Sequence, residues 1–143
     1  MAIETPFITA DGIVEIYIEE EFQGVVLIDR LNPPYGTALP GGFMDIGETI
    51  ESCLKREMSE EIGLEVEIVE LLGLYSDPQR DPRFHTVSAV YICKAYVLPK
   101  AGDDAKSTKL VLLKDLKKEH FVFDHQKIIN DYLERKEKAI SLS

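Results

Sequence analysis

Gly42-Phe43-Met44-Asp45-Ile46-Gly47-Glu48-Thr49-Ile50-Glu51-Ser52-Cys53-Leu54-Lys55-Arg56-Glu57-Met58-Ser59-Glu60-Glu61-Ile62-Gly63-Leu64 is the stretch on which the fold turns. Within it Ile50, Leu54 and Met58 recur at every fourth residue, with Cys53 beside them and charged residues at most other positions. That spacing predicts an amphipathic helix over 48–62, stopped by Gly63. Glu57, Glu60 and Glu61, three and four residues apart, are expected close together along one side of the helix, largely away from Ile50 and Leu54. Carboxylates so crowded repel one another. A solvated acidic face accounts for the trio taken alone; the alternative is a hard divalent cation, which prefers carboxylate oxygens and retained waters. Arg56 directly before Glu57, and Glu48 near the helix start, add charged partners to the same segment.

Outward from the helix, Ile13 to Ile18 and Gly24 to Asp29 are rich in β-branched residues around an acidic turn and read as a hairpin. Asn32-Pro33-Pro34-Tyr35-Gly36 and Pro40-Gly41-Gly42 predict a shaped loop leading into the helix. Val66 to Tyr75 and Thr86 to Leu98 are strand candidates around a loop with two prolines, Ser76 to Arg83. Thr108 to Leu113 predicts a short strand. Asp124 to Lys138 places Ile128, Ile129, Tyr132 and Leu133 on one face of a closing helix, with Asp124 and His125 expected to cap it. The fold class is α/β (α+β), a mixed sheet between helices.

The chain has 143 residues, 45% hydrophobic and 29% charged, suited to one folded domain over 1–143. Lys and Arg number 16 against 26 Asp and Glu, a formal charge of −10, so the global field repels polyanions and nucleic acid is not an expected partner. A small phosphorylated substrate remains open, because carboxylates that bind a divalent ion reverse the local field. Cys53 and Cys93 lack zinc-site spacing or the numbers for a disulfide framework. Met1 to Gly12 lack the basic start and apolar stretch of a secretion signal, and no apolar run approaches the roughly 18 residues that span a bilayer. The expectation is a cytoplasmic protein with no membrane partner.

Segment 42–64 matches the Nudix box at each defined position: Gly42, Glu48, the Arg56-Glu57 pair, both apolar sites, the Glu60-Glu61 pair and Gly63. The chain therefore resembles the Nudix hydrolases over essentially its whole length. The resemblance implies a Nudix fold and Mg²⁺-dependent cleavage of a nucleoside diphosphate linked to another moiety, with Mn²⁺ as a substitute ion. It implies Glu57, Glu60, Glu61 and the Gly41 carbonyl as metal ligands, and Glu57 or Glu60 as the base. Arg56 is expected to pair with Glu48 and to orient the ligands; a surface ion pair of little energetic value is the alternative. Asp103, Asp104 and Glu119 are base candidates outside the box, or else parts of a charged surface loop.

Tyr75 to Ser88, with Arg80-Asp81-Pro82-Arg83 followed by His85, resembles the corresponding segment of small ADP-ribose pyrophosphatases, as do Gly102 to Ala105 and Phe123-Asp124-His125. Arg80 and Arg83 on a proline-stiffened loop are candidate readers of a phosphate or ribose, with Asp81 bonded to one of them or shaping the turn. A rigid Arg–Asp turn is the structural alternative. His85 is expected to be hydrogen-bonded rather than catalytic. Phe7, Tyr17, Tyr35 and Phe43 are available for stacking on adenine. The expected substrate is ADP-ribose. The alternatives are nucleoside triphosphates, dinucleoside polyphosphates, or a sensor that binds without turnover. A second copy of the chain is a candidate partner, since many enzymes of that branch are dimers.

Overall fold

The structure, a computed structural model, describes residues 2–102 and 105–142. Strands β1 (Phe7–Ile18) and β2 (Glu21–Arg30) form the expected hairpin, longer than its β-branched core. Its two-residue turn holds Glu19 and Glu20 at φ 51° and 69°, the left-handed geometry that matches the twist of the flanking strands. The extra length of β1 comes from a distant partner: β6 (Thr86–Ala95) runs parallel to it from Phe7 opposite Thr86 to Ile16 opposite Ala95. Pairing with β6, rather than local composition, carries β1 back to Phe7.

The loop after the hairpin contains two short strands, β3 (Thr37–Ala38) against β2 and β4 (Gly41–Phe43) against β1. Helix α1 spans Ile50–Ile62, two residues shorter at its start than expected. Thr49 Oγ1 accepts from Ser52 N at 3.1 Å and ends the helix on that side. Gly63, at φ 66°, turns the chain at the other end, its N–H reaching the last carbonyls. Strand β5 (Glu67–Tyr75) pairs antiparallel with β6. The apolar run expected to extend β6 to Leu98 leaves the sheet after Ala95, and Tyr96, Val97 and Leu98 are exposed. Strand β7 (Ala105–Val111) pairs with β2. A 3-10 turn over Leu113–Lys118, not anticipated from the sequence, leads to helix α2 (His125–Leu142).

The sheet order is β3-β2-β1-β6-β5, with β4 and β7 joined to β1 and β2. Period-two alternation divides the interior. Val14, Ile16, Val26, Ile28, Tyr91 and Cys93 face Leu54, Met58 and Ile62 of α1, while Ile13, Val25, Leu27, Val90 and Ile92 face Ile128, Ile129 and Tyr132 of α2. This is the mixed sheet between helices expected from the sequence. Gly12 marks the crossing of α1 over β1, since a Cβ there would stand 3.0 Å from the Met58 sulfur. On the other face Glu15 is buried and held by Tyr132 at 2.5 Å and Lys136 at 2.6 Å, which pins α2 to the sheet. No helix among the described residues is long and apolar enough to cross a membrane.

Candidate active site

One cavity of about 390 Å³ collects side chains from α1, β1, β2, the 76–85 loop and the start of α2. From α1 it takes Arg56, Glu57 and Glu61. Helical geometry explains the choice: residues 57 and 61 differ by about 40° around the axis, whereas residue 60 lies about 60° to the other side of 57. Glu57 and Glu61 are accordingly screened from solvent, while the Glu60 side chain is 59% exposed and does not line the cavity. The three carboxylates thus do not share one face equally. Among the described residues, no three acidic, His or Cys side chains converge closely enough to hold a metal ion.

Arg56 organises this wall. Its Nε and Nη2 donate to the two Glu48 oxygens at 3.1 and 2.7 Å, and Nη2 also reaches the Phe43 carbonyl at 2.9 Å. Its Nη1 bonds Glu57 at 2.8 Å and Glu60 at 3.1 Å. One guanidinium therefore ties the loop before α1 to two of the helix carboxylates, a geometry open to a planar fork and not to a point charge. Arg56, with the Asp45 N–H, holds the Glu48 carboxyl down to about 2. Glu48 itself lies outside the cavity.

Gly41 and Gly42 lie flush against this wall. A side chain at Gly41 would collide with Asp11, and one at Gly42 with the Glu57 carboxylate. Glycine is required here for close approach, and it brings backbone beside both carboxylates. Glu57, Glu61 and the Gly41 carbonyl are hard oxygen donors of the kind that suits Mg²⁺ or Mn²⁺.

Asp11 was not singled out from the sequence, although an acidic residue between Ala10 and Gly12 in an otherwise apolar strand was a legible signal. It is buried, accepts from Ser88 and from Thr9 at 3.4 Å, and lines the cavity. Burial pushes its carboxyl up to about 6 against the opposing bonds from Ser88, the Arg80 charge and Thr9.

The 76–85 loop divides its two arginines between different tasks. The Arg80 side chain is 4% exposed; its Nε and Nη2 grip both Asp124 oxygens at 2.9 and 2.7 Å, and Nη1 bonds Thr86 Oγ1 at 2.7 Å. This corrects the expected cap: the Asp124 carboxylate faces Arg80, and His125 accepts the Leu39 N–H through Nδ1 at 3.0 Å. Burial first, then the Arg80 and Arg30 charges, holds His125 down to about 3, so it is neutral. Arg83 remains about one-third exposed, bonded to both Asp81 oxygens at 3.1 and 2.9 Å. Its guanidinium carbon lies 5.8, 5.2 and 5.3 Å from the ring centres of Phe43, Phe84 and Phe123. Despite burial, the Arg83 bonds keep the Asp81 carboxyl below its usual range.

Of the aromatic candidates, Phe7 and Phe43 join Phe84 in a cluster with ring centres 4.8 to 5.9 Å apart, and Phe43 lines the cavity. Tyr17 packs on Phe22 elsewhere. His85 meets the Ser76 carbonyl at 2.9 Å. Glu119 is paired with Lys109 at 2.5 Å and lies outside the cavity. Asp103 and Asp104 lie outside the described residues. Sequence reading also missed Arg30 and Phe123, which line the cavity from β2 and from the residue two before α2.

The geometry agrees with comparison to known proteins. The chain is 44% identical over 131 residues to an ADP-ribose pyrophosphatase of Methanocaldococcus jannaschii, covering 90% of this chain and 73% of that protein. It resembles the crystallised NUDIX domain of Shewanella oneidensis NrtR, complexed with ADP ribose, at a TM-score of 0.81 and 25% identity, covering 93% and 90% of the two chains. A bifunctional NMN adenylyltransferase/ADP ribose pyrophosphatase of Francisella tularensis, complexed with AMP and a Mn ion, matches at a TM-score of 0.76 and 27% identity, over 94% of this chain and 43% of that one. The NUDIX domain model matches residues 8–132, which take in nearly all of the sheet, the whole of α1 and the first eight residues of α2; the chain belongs to the NUDIX domain family.

Proposed function

We propose that this Nudix hydrolase cleaves ADP-ribose to AMP and ribose 5-phosphate with Mg²⁺, in the cytoplasm, where the free buried thiols Cys53 and Cys93 remain reduced. The observation that carries this reading is the presence, in one cavity, of the Glu57 and Glu61 carboxylates and of the Arg83 guanidinium on its aromatic bed. The similarity to an ADP-ribose pyrophosphatase at 44% identity and to a domain complexed with ADP ribose supports the substrate.

Glu57, Glu60, Glu61 and the Gly41 carbonyl are assigned to the ion, which when bound lowers the pKa of water and neutralises a diphosphate. Arg56 and Glu48 keep the ligand carboxylates in place. Glu57 or Glu60 takes the proton of the attacking water, whose oxygen joins one phosphorus as the bridging P–O bond breaks. Arg83 faces a substrate phosphate or ribose; Asp81 fixes its orientation, and Arg80 stiffens the loop from beneath. The Phe7, Phe43 and Phe84 cluster offers an apolar face for the adenine.

A turnover panel with Mg²⁺ tests the assignment: ADP-ribose, deoxynucleoside triphosphates, diadenosine polyphosphates and NADH, with Glu57→Gln as background. Preference for ADP-ribose, lost in the variant, is expected. Preference for triphosphates would replace the substrate and leave the loop a structural turn; tight ADP-ribose binding without turnover of anything would make the protein a sensor.

A further inference from the structure

Phe121, Val122 and Phe123 are adjacent in sequence and go to three different places. Phe121 packs on the core beneath α2 and Val122 on the core beneath α1. Phe123 is half-buried, belongs to neither core, and lines the catalytic cavity. Its backbone sits at φ 56°, in the left-handed region that bulky side chains avoid. The chain holds an aromatic ring there although a glycine would fit without strain.

The ring's partners are charged. Arg30 and Arg83 both lie over it, their guanidinium carbons 5.0 and 5.3 Å from its centre, within the reach at which an aromatic face attracts a cation. Each is also tethered on its own side, Arg30 to the Pro34 carbonyl at 2.8 Å and Arg83 to Asp81. Arg30, Arg83 and Phe123 all line the cavity that contains Glu57 and Glu61. The cavity's other two arginines bond carboxylates of their own, Arg56 those of Glu48, Glu57 and Glu60, and Arg80 that of Asp124. Arg30 and Arg83 thus bring two planar forks to one ring inside the cavity, donors of the shape that binds a phosphate.

Resting on the reading of the cavity as a nucleoside diphosphate site, we propose that Phe123 is a positioning and specificity residue. Its ring presents Arg30 and Arg83 as a pair to the anionic bridge of the substrate. It sets affinity for the diphosphate and leaves the rate of bond cleavage to the α1 wall.

Steady-state kinetics on ADP-ribose with Mg²⁺, together with thermal unfolding, compare wild type with Phe123→Leu, Phe123→Tyr, Arg83→Ala and the Phe123→Leu/Arg83→Ala double variant. Phe123→Leu is expected to raise KM about 10-fold with kcat within about 2-fold, and Phe123→Tyr, which keeps the ring, to restore KM. In the Arg83→Ala background the leucine substitution should add about 3-fold or less, because the contact through Arg83 is already lost and only that to Arg30 remains. An unchanged KM in Phe123→Leu, or a loss that persists in full without Arg83, overturns the proposal. Should the leucine variant fail to fold, Phe123→Gly accepts the backbone without strain, and a normal KM there overturns it equally. If the wild type does not cleave ADP-ribose, the substrate assignment fails by itself. The variants are then read by calorimetric binding of ADP, where a wild-type Kd in Phe123→Leu, or no binding by the wild type, counts against Phe123.

Discussion

The two walls of the cavity are built in opposite ways. On one, Arg56, Glu57 and Glu61 come from a single helix, and Arg56 also bonds Glu48 and Glu60, which belong to the same loop-and-helix segment and lie outside the cavity. On the other, Asp11, Arg30, Arg80, Arg83 and Phe123 come from separate stretches that meet only when β1, β2 and β6 are paired and α2 is docked. The first wall is close to a local object, whose spacing follows from 3.6 residues per turn. The second is a tertiary object in which buried charges are met across the fold, Asp11 by Ser88 and Arg80 by Asp124.

Breaking the distant wall should therefore cost folding first. Arg80→Met leaves Asp124 without its two-pronged partner and removes the cation near buried Asp11. A loss of about 4 kcal/mol and a Tm lower by roughly 10 °C are expected in thermal unfolding; an unchanged Tm would show that the network is dispensable. Breaking the local wall should instead cost chemistry. Glu57→Gln is expected to cut turnover about 100-fold or more with little change in Tm. Glu60→Gln sharpens the point: an equal loss there would make the exposed side of α1, and not only its cavity face, part of the working surface.

A pH titration separates the walls further. Asp11 is raised to about 6 in the fold, so its contribution is fullest below about pH 4 and is lost as pH rises through 6. His125 is depressed to about 3, so its contribution is present above about pH 6.5 and is lost as pH falls. Between pH 4 and 6 these two contributions oppose each other. Asp11→Asn should unmask the His125 slope, with stability falling by up to ~1.4 kcal/mol per pH unit as acid is added; denaturant titrations at pH 4, 5 and 6 measure it. The smallest effect is expected at Arg83→Ala, a loss of roughly 5-fold in kcat/KM for ADP-ribose beyond that for a triphosphate. Equal losses on both substrates would return the loop to a structural turn.

The local wall was readable because its information is local. The spacing of Ile50, Leu54 and Met58 predicted α1, and Thr49 and Gly63 bound it. The Arg56–Glu48 pair was implied by the family resemblance of the same segment. Glu60 departed from the expected grouping because a helix turns 100° per residue, enough to separate it from Glu57 and Glu61 once the cavity lies to one side. Arg80 and Asp124 show the opposite limit. Each read as a separate feature, a substrate reader and a helix cap, and they are each other's partner over 44 residues of chain. Phe123 read only as part of the Phe123-Asp124-His125 resemblance, which gave no reason to place its ring in the cavity.

From sequence alone came the class of fold, the acidic helix, the glycine approach and the family resemblance, all properties of hydrophobic periodicity and contiguous side-chain chemistry. Tertiary structure alone decided which carboxylates face the cavity, which arginine is buried as a strut and which is left facing the cavity, and that Asp11, Arg30 and Phe123 belong to the site. The physical reason is that burial and charge pairing depend on what a residue meets across the sheet, and the register of β1 on β6 and the docking of α2 set those meetings.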